Sequence, residues 1–157
     1  MRISNEPLAD YFSDGEKLES FQRQFVAGLV LYLHCDFIKK AYQDKFLLLA
    51  CVNPAPLYLV INSEPAAFIR ANKALLDCQV CITKNDHSFL DHDSYVDCLK
   101  AYSIEQSEVE RQVLSEMGKR LKGRLSSKAV QAVLDAVADS PTLIRRDQLW
   151  IANDLKP

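Results

Sequence analysis

Four short apolar runs crowd the stretch from Asp44 to Cys98, and they constrain the fold more than anything else in the chain. They are Lys45-Phe-Leu-Leu-Leu-Ala-Cys51, Leu57-Tyr-Leu-Val-Ile61, Cys78-Gln-Val-Cys-Ile-Thr83 and Ser94-Tyr-Val-Asp-Cys98. Polar breaks separate them: Asn53-Pro-Ala-Pro56, Asn62-Ser-Glu-Pro65 and Asn85-Asp-His-Ser88. Runs of this length at this spacing read as strands of a small, strongly curved sheet or barrel. Leu29-Val-Leu-Tyr-Leu-His-Cys35 adds a strand before them.

Helical patterns flank the strands. Ser13 and Glu16 have capping-box spacing, and Leu18, Phe21 and Phe25 recur at i, i+3 and i+7. Ser63 with Pro65 predicts a short helix carrying Phe68 and Ile69. After Tyr102, Ser103 and Gln106 repeat the capping box, and Val109, Val113, Met117 and Leu121 form a stripe that predicts one helix ending at Gly118 or Gly123. Ser126 or Ser127 caps the next helix, with Val130, Val133, Leu134 and Val137 on its apolar face and Ser140-Pro141 as its stop. A short edge strand is expected around Gln148 to Ile151. The reading is one α+β domain over 1–157, mainly β, divided as 1–24 (lead-in and helix), 25–102 (barrel), 103–140 (two C-terminal helices) and 141–157 (tail).

With 48% apolar and 25% charged residues, the chain has the composition of a globular domain. A formal charge of −2 excludes a globally basic nucleic-acid binder and leaves room for a local basic face. No apolar run approaches the roughly 20 residues of a membrane span, and Phe25–Leu33 lacks the basic leader of a signal peptide, so a cytoplasmic location is expected. The five cysteines, Cys35, Cys51, Cys78, Cys81 and Cys98, lie in or beside apolar runs and are expected as reduced, buried thiols.

Three clusters are candidates for chemistry. Cys78-x-x-Cys81 with His87 and His92 has zinc-ligand residue types. However, only five residues separate Cys81 from His87, and residues three apart on a strand face opposite ways, so neither a metal nor a cofactor is expected. His92 flanked by Asp91 and Asp93, with His87 close by, has the makings of an acid–base pair, set against a solvated turn whose Asp and Ser side chains cap backbone groups. The run Lys119-Arg120-Leu-Lys122-Gly-Arg124 could follow a phosphate backbone or serve as the solvated corner between two helices. There is no Gly-rich phosphate loop and no GxSxG elbow.

From Gly28 to about Ala138 the order of elements resembles the MazF/PemK-like toxin family. Gly28-Leu-Val-Leu-Tyr-Leu resembles its opening strand, and Lys45-Phe-Leu-Leu-Leu-Ala its second. Leu59-Val-Ile-Asn-Ser63 is similar to the third strand with its hydroxyl-bearing end. Asp93-Ser-Tyr-Val-Asp resembles the late strand, and Gly123-Arg-Leu-Ser with Val130, Val133 and Val137 the closing helix. The resemblance implies an SH3-like barrel in a toxin–antitoxin module, a cognate antitoxin as partner, a homodimer, and a metal-independent endoribonuclease acting on single-stranded RNA. It places Lys45 and Ser63 at the scissile phosphate; on that reading the acid–base cluster supplies His92 or Asp93 to move a proton, and the local basic residues Lys39, Lys40, Lys119, Arg120, Lys122 and Arg124 would follow the RNA. The family's Arg-Pro pair is replaced by Asp44-Lys45, and lysine does not reproduce a bidentate arginine clamp. The alternative is a non-catalytic SH3-like module that docks a protein partner.

Overall fold

The computed structural model describes residues 12–36 and 43–157. In chain order the elements are α1 (Asp14–Gln24), β1 (Leu29–Cys35), β2 (Gln43–Cys51), β3 (Leu57–Asn62), α2 (Ala67–Arg70), α3 (Lys73–Leu76), β4 (Gln79–Ile82) and β5 (Ser94–Asp97). They continue as α4 (Gln106–Ser115), α5 (Met117–Arg120), β6 (Leu121–Arg124), α6 (Ser127–Asp139) and α7 (Arg145–Asp154). The fold is mixed α+β around a curled sheet of six antiparallel strands in the order β4-β5-β3-β2-β1-β6. The two edge strands, β4 and β6, stand at the ends of that order.

The local signals at both helical ends act as expected. Ser13 Oγ accepts the Glu16 amide at 3.2 Å and donates to Glu16 Oε1 at 3.1 Å, which occupies a free donor at the start of α1. Ser126 Oγ accepts the Ala129 amide at 3.2 Å and starts α6. Gly28 turns the chain into β1 at φ +105°, where a Cβ would meet the Arg124 guanidinium at 2.7 Å. Its amide bonds Leu49 O and its carbonyl accepts from Leu125, so one glycine ties β1 to both neighbours.

Strand alternation builds two cores. Val30, Leu48, Ala50, Leu59, Ile61, Val80, Ile82 and Val96 point to one face and pack with Val130, Val133 and Val137 of α6 and Ile151 of α7. Leu29, Leu31, Leu33, Leu47, Leu49, Tyr58 and Val60 point to the other and pack with Phe21 of α1 and Val109 and Val113 of α4. β2 and β3 are therefore unbroken apolar runs because both of their faces are covered, the reading otherwise reserved for strands between two helical layers.

Several expected elements come out differently. The helix expected to run to Gly118 or Gly123 stops at Ser115, with Glu105 rather than Ser103 at its N-cap, and after the four-residue α5 the chain becomes strand β6. Leu-Lys-Gly-Arg has little strand propensity of its own; pairing with Leu29–Leu31 makes it a strand. The expected edge strand near 148–151 is helix α7, whose Ile151 is buried. The fifth strand ends at Asp97, and further on Tyr102 forms an isolated bridge to Tyr58. The short helix after Pro65 has Ala66 at its N-cap instead of Ser63, and Asn72 caps the next turn. Leu134 is only partly buried; Val133 and Ala136 take the inner face of α6.

Candidate functional site

Of the residues proposed for chemistry, Lys45, Lys119 and Arg120 lie at the end of the sheet where β1 meets β2, whereas Arg124 pairs with Leu29 at the start of β1, Ser63 follows β3, and His92 and Asp93 sit in the loop between β4 and β5. His34 pairs with Asp44 and Leu33 with Lys45 across that hairpin, while Phe46 pairs with Ile61 across β2 and β3. Lys45 shares the face of Leu47 and Leu49. Ser63 lies one residue past β3 and is exposed, and Ile61, two residues before it, faces the opposite core with Phe46. The ladder thus aims Lys45 away from the face that Ile61 shares with Phe46. His92 is exposed, with Nδ1 2.9 Å from Asp93 O and 3.3 Å from Ser94 Oγ. Asp93 Oδ1 accepts the Lys84 amide at 2.9 Å, which closes the loop between β4 and β5. Lys39 and Lys40 lie outside the described residues.

Asp44 is the electrostatic centre of this end. Its carboxylate lies 3.3 Å from Arg120 Nη1, 3.4 Å from Lys119 Nζ and 3.4 Å from His34 Nδ1. Partial burial pushes the Asp44 carboxyl up, but the Arg120 guanidinium and the Lys119 ammonium outweigh it and hold the group below its usual range. Arg120 is buried at 9% exposure and also donates from Nη1 to Tyr32 O at 3.2 Å. Glu116 sits 3.3 Å from Lys119 and 3.9 Å from Arg120. The other two cations of the run are also engaged: Lys122 lies over the Tyr32 ring at 5.4 Å, and Arg124 donates to Ala27 O at 2.7 Å. The basic run thus serves largely as the clamp that fixes α5 and β6 on β1.

Gln112 completes that clamp. Its Oε1 accepts the His34 amide at 2.8 Å and its Nε2 donates to His34 O at 3.1 Å, so the side chain imitates a paired strand residue where β6 no longer reaches. The signal for it lies in the sequence: a glutamine sits on the apolar stripe between Val109 and Val113, and a buried amide there needs partners.

No protein-family model matches this chain. Nor does any curated protein or solved structure. Among the described residues no group of three or more His, Cys, Asp or Glu side chains is placed to hold a metal ion. Both His87 ring nitrogens have protein partners: Nδ1 is 2.8 Å from Thr83 O, and Nε2 accepts the Ser126 amide at 3.0 Å. Nor is any described helix long and apolar enough to cross a membrane.

The thiols divide in one respect against expectation. Cys35, Cys51, Cys78 and Cys98 are buried, but Cys81 is exposed, because β4 is an edge strand and Cys81 turns outward between the buried Val80 and Ile82. Burial pushes the Cys35 and Cys51 thiols up to about 11 and raises Cys78 and Cys98 as well, which keeps all four protonated and unreactive at neutral pH. Native protein treated with a thiol reagent at pH 8 is expected to label once, rapidly, at Cys81, with the remaining four labelled only after unfolding. Rapid labelling of two or more sites, or loss of the fast site in no case when Cys81 becomes Ser, would contradict this assignment.

Proposed function

We propose that this protein is a diverged MazF/PemK-like protein, its curled sheet an SH3-like barrel left open between β4 and β6, that works as a non-catalytic protein-binding module. The observation that carries the reading is Asp44. At the place where the resemblance expects an arginine on the scissile phosphate stands a carboxylate, and it takes up Lys119, Arg120 and His34. A carboxylate there repels a phosphodiester, and an arginine 9% exposed and salt-bridged inward is a poor phosphate ligand. The faces given to Lys45 and to β3 beside Ser63 point the same way, as does the use of Asp93 as a backbone cap. The partner would be a protein, the product of the neighbouring gene being the first to test in line with the module architecture the resemblance suggests.

Two assays decide between this reading and the ribonuclease. A defined single-stranded RNA incubated with the protein at low salt is expected to stay intact, and the adjacent gene's product is expected to co-elute with the protein as a stable complex. Cleavage that persists in chelator and disappears in Lys45→Ala or Ser63→Ala would restore the enzyme reading, since a hydroxyl or cation at the developing charge acts in the transition state.

A further inference from the structure

Residues 83–93, the connection from β4 to β5 that we term the strap, reach across the gap between the two sheet edges, β4 and β6, beside α6, which also packs on β4. Buried at 2% exposure, the His87 ring spans the seam from Thr83 O, just past β4, to the Ser126 amide, two residues past β6. Beside it Phe89 lies so close to β6 that a Cβ on Gly123 would meet its ring at 3.0 Å, and Phe89 stacks toward Phe46 at 6.3 Å between centroids. Leu90 enters the core at 2% exposure. Among the described residues, the strap's other hydrogen bonds stay within itself and its own β4–β5 hairpin: Lys84 N to Asp93, Asp86 N to Thr83, His87 N to Lys84 O and Leu90 N to His87 O. A unit bonded mostly to itself, and held across the seam by one imidazole and two apolar side chains, can leave as a unit.

Its charge is opposite to that of its seat. The strap has Asp86, Asp91 and Asp93 against Lys84, a formal −2 with histidines neutral. Across the seam stand Lys122 of β6 and the exposed Lys128 of α6, with no carboxylate within ion-pair distance of either among the described residues, while Arg124, paired with Leu29, turns to Ala27 O. Lys128, His87 and Cys81 line a recess of about 110 Å³ at this point. Among the described residues β6 pairs with β1 alone, so no described strand takes its outer edge.

We infer that the strap is an internal stand-in for the partner, and that the partner's docking element is an extended acidic segment with an aromatic–aliphatic pair. The segment would displace the strap, set its two apolar side chains where Phe89 and Leu90 now sit, and add a strand to β6 beside Lys122 and Lys128. This rests on the binding-module reading and deepens it by naming the site and the chemistry of the ligand.

The probe is the strap's own sequence, Lys84 to Asp93, as a labelled peptide measured by fluorescence anisotropy. Wild type is expected to bind it weakly, because the tethered strap competes. His87→Leu, which removes the bond across the seam, is expected to bind about five- to tenfold more tightly, and His87→Gln, which can still donate and accept, to behave like wild type. Adding Lys122→Glu and Lys128→Glu to His87→Leu should weaken binding about tenfold or more and flatten its salt dependence. Equal affinity for wild type and His87→Leu, equal affinity for a scrambled peptide of the same composition, or displacement by single-stranded RNA would each overturn the inference. Should His87→Leu not fold, amide exchange of the wild type decides: β4, β6 and the strap should exchange faster than β1 to β3, and uniform protection overturns it. A neighbouring-gene complex that survives Lys122→Glu with Lys128→Glu would remove the seam as the site while leaving the module reading intact. Peptide binding at the seam with no such complex would keep the site and reject that partner.

Discussion

Leu47→Ala and Leu48→Ala are each expected to lower the free energy of unfolding by about 2–5 kcal/mol, although the two residues are adjacent on one strand. Both are fully buried, Leu47 against α1 and α4 and Leu48 against α6 and α7. Successive strand residues face opposite ways, so a sheet covered on one side tolerates truncation at every second position. Here neither neighbour is spared, because each truncation opens a cavity in a different packed layer. In a domain of this length, a loss of about 3 kcal/mol moves the thermal midpoint by roughly 6–12 °C. Because the two cores share no side chain, the double variant should lose close to the sum. Thermal or urea denaturation of both single variants is the measurement. A loss under about 1 kcal/mol for either one would mean that its face is open to water and that one helical layer does not dock.

The second large effect is expected at the Asp44 clamp. Arg120→Ala should destabilise the fold by about 2–4 kcal/mol, somewhat less than the loss for breaking a fully buried pair because the Asp44 side chain keeps 21% exposure. The variant loses the bond to Tyr32 O and leaves Asp44 facing only Lys119 and His34. Arg120→Lys should recover part of the loss, since Nη1 alone meets both Asp44 and Tyr32 O and one ammonium can take its place, while the Nη2 contact to Glu116 at 3.9 Å is lost. The pH dependence supplies a second signature. The folded Asp44 carboxyl lies below its ordinary value of 3.8, so its contribution is fully present above that value and is lost as pH falls through the lower, folded value. Wild-type stability should therefore fall from about pH 5 downward, and Arg120→Ala should flatten that decline. An acid limb unchanged in Arg120→Ala would show that Arg120 does not hold the carboxylate down. Glu108, held down to about 2 by Arg111 and Gln112, contributes acid sensitivity of the same sign and is untouched by this variant.

Much of the local structure was legible in the residues. Leu29–Cys35 is a strand with the bounds its apolar run suggests, and Ser13 and Ser126 cap helices where their spacing places them. Capping and periodicity act within a few residues, so the chain states them directly. Even the double burial of β2 and β3 is written in their unbroken apolar runs. The inventory of basic residues was legible too, but not its use. That Arg120 turns inward to Asp44 depends on two segments about 75 residues apart meeting at one corner.

Only the tertiary structure decided the rest, and in each case a non-local partner overrode a local pattern. Val109, Val113, Met117 and Leu121 keep helical spacing, yet Leu121 belongs to a strand because β1 offers its edge to Leu121–Arg124. Residues 148–151 have an apolar, strand-like look, yet they lie in α7, which places Ile151 on the core and Asp154 on the Val52 amide at 2.5 Å. His87 looks like a loop histidine until the fold brings Ser126 to its Nε2. A backbone group or a charge is satisfied by whatever the fold brings within about 3 Å, and an amino-acid sequence specifies that neighbour only through the whole chain at once.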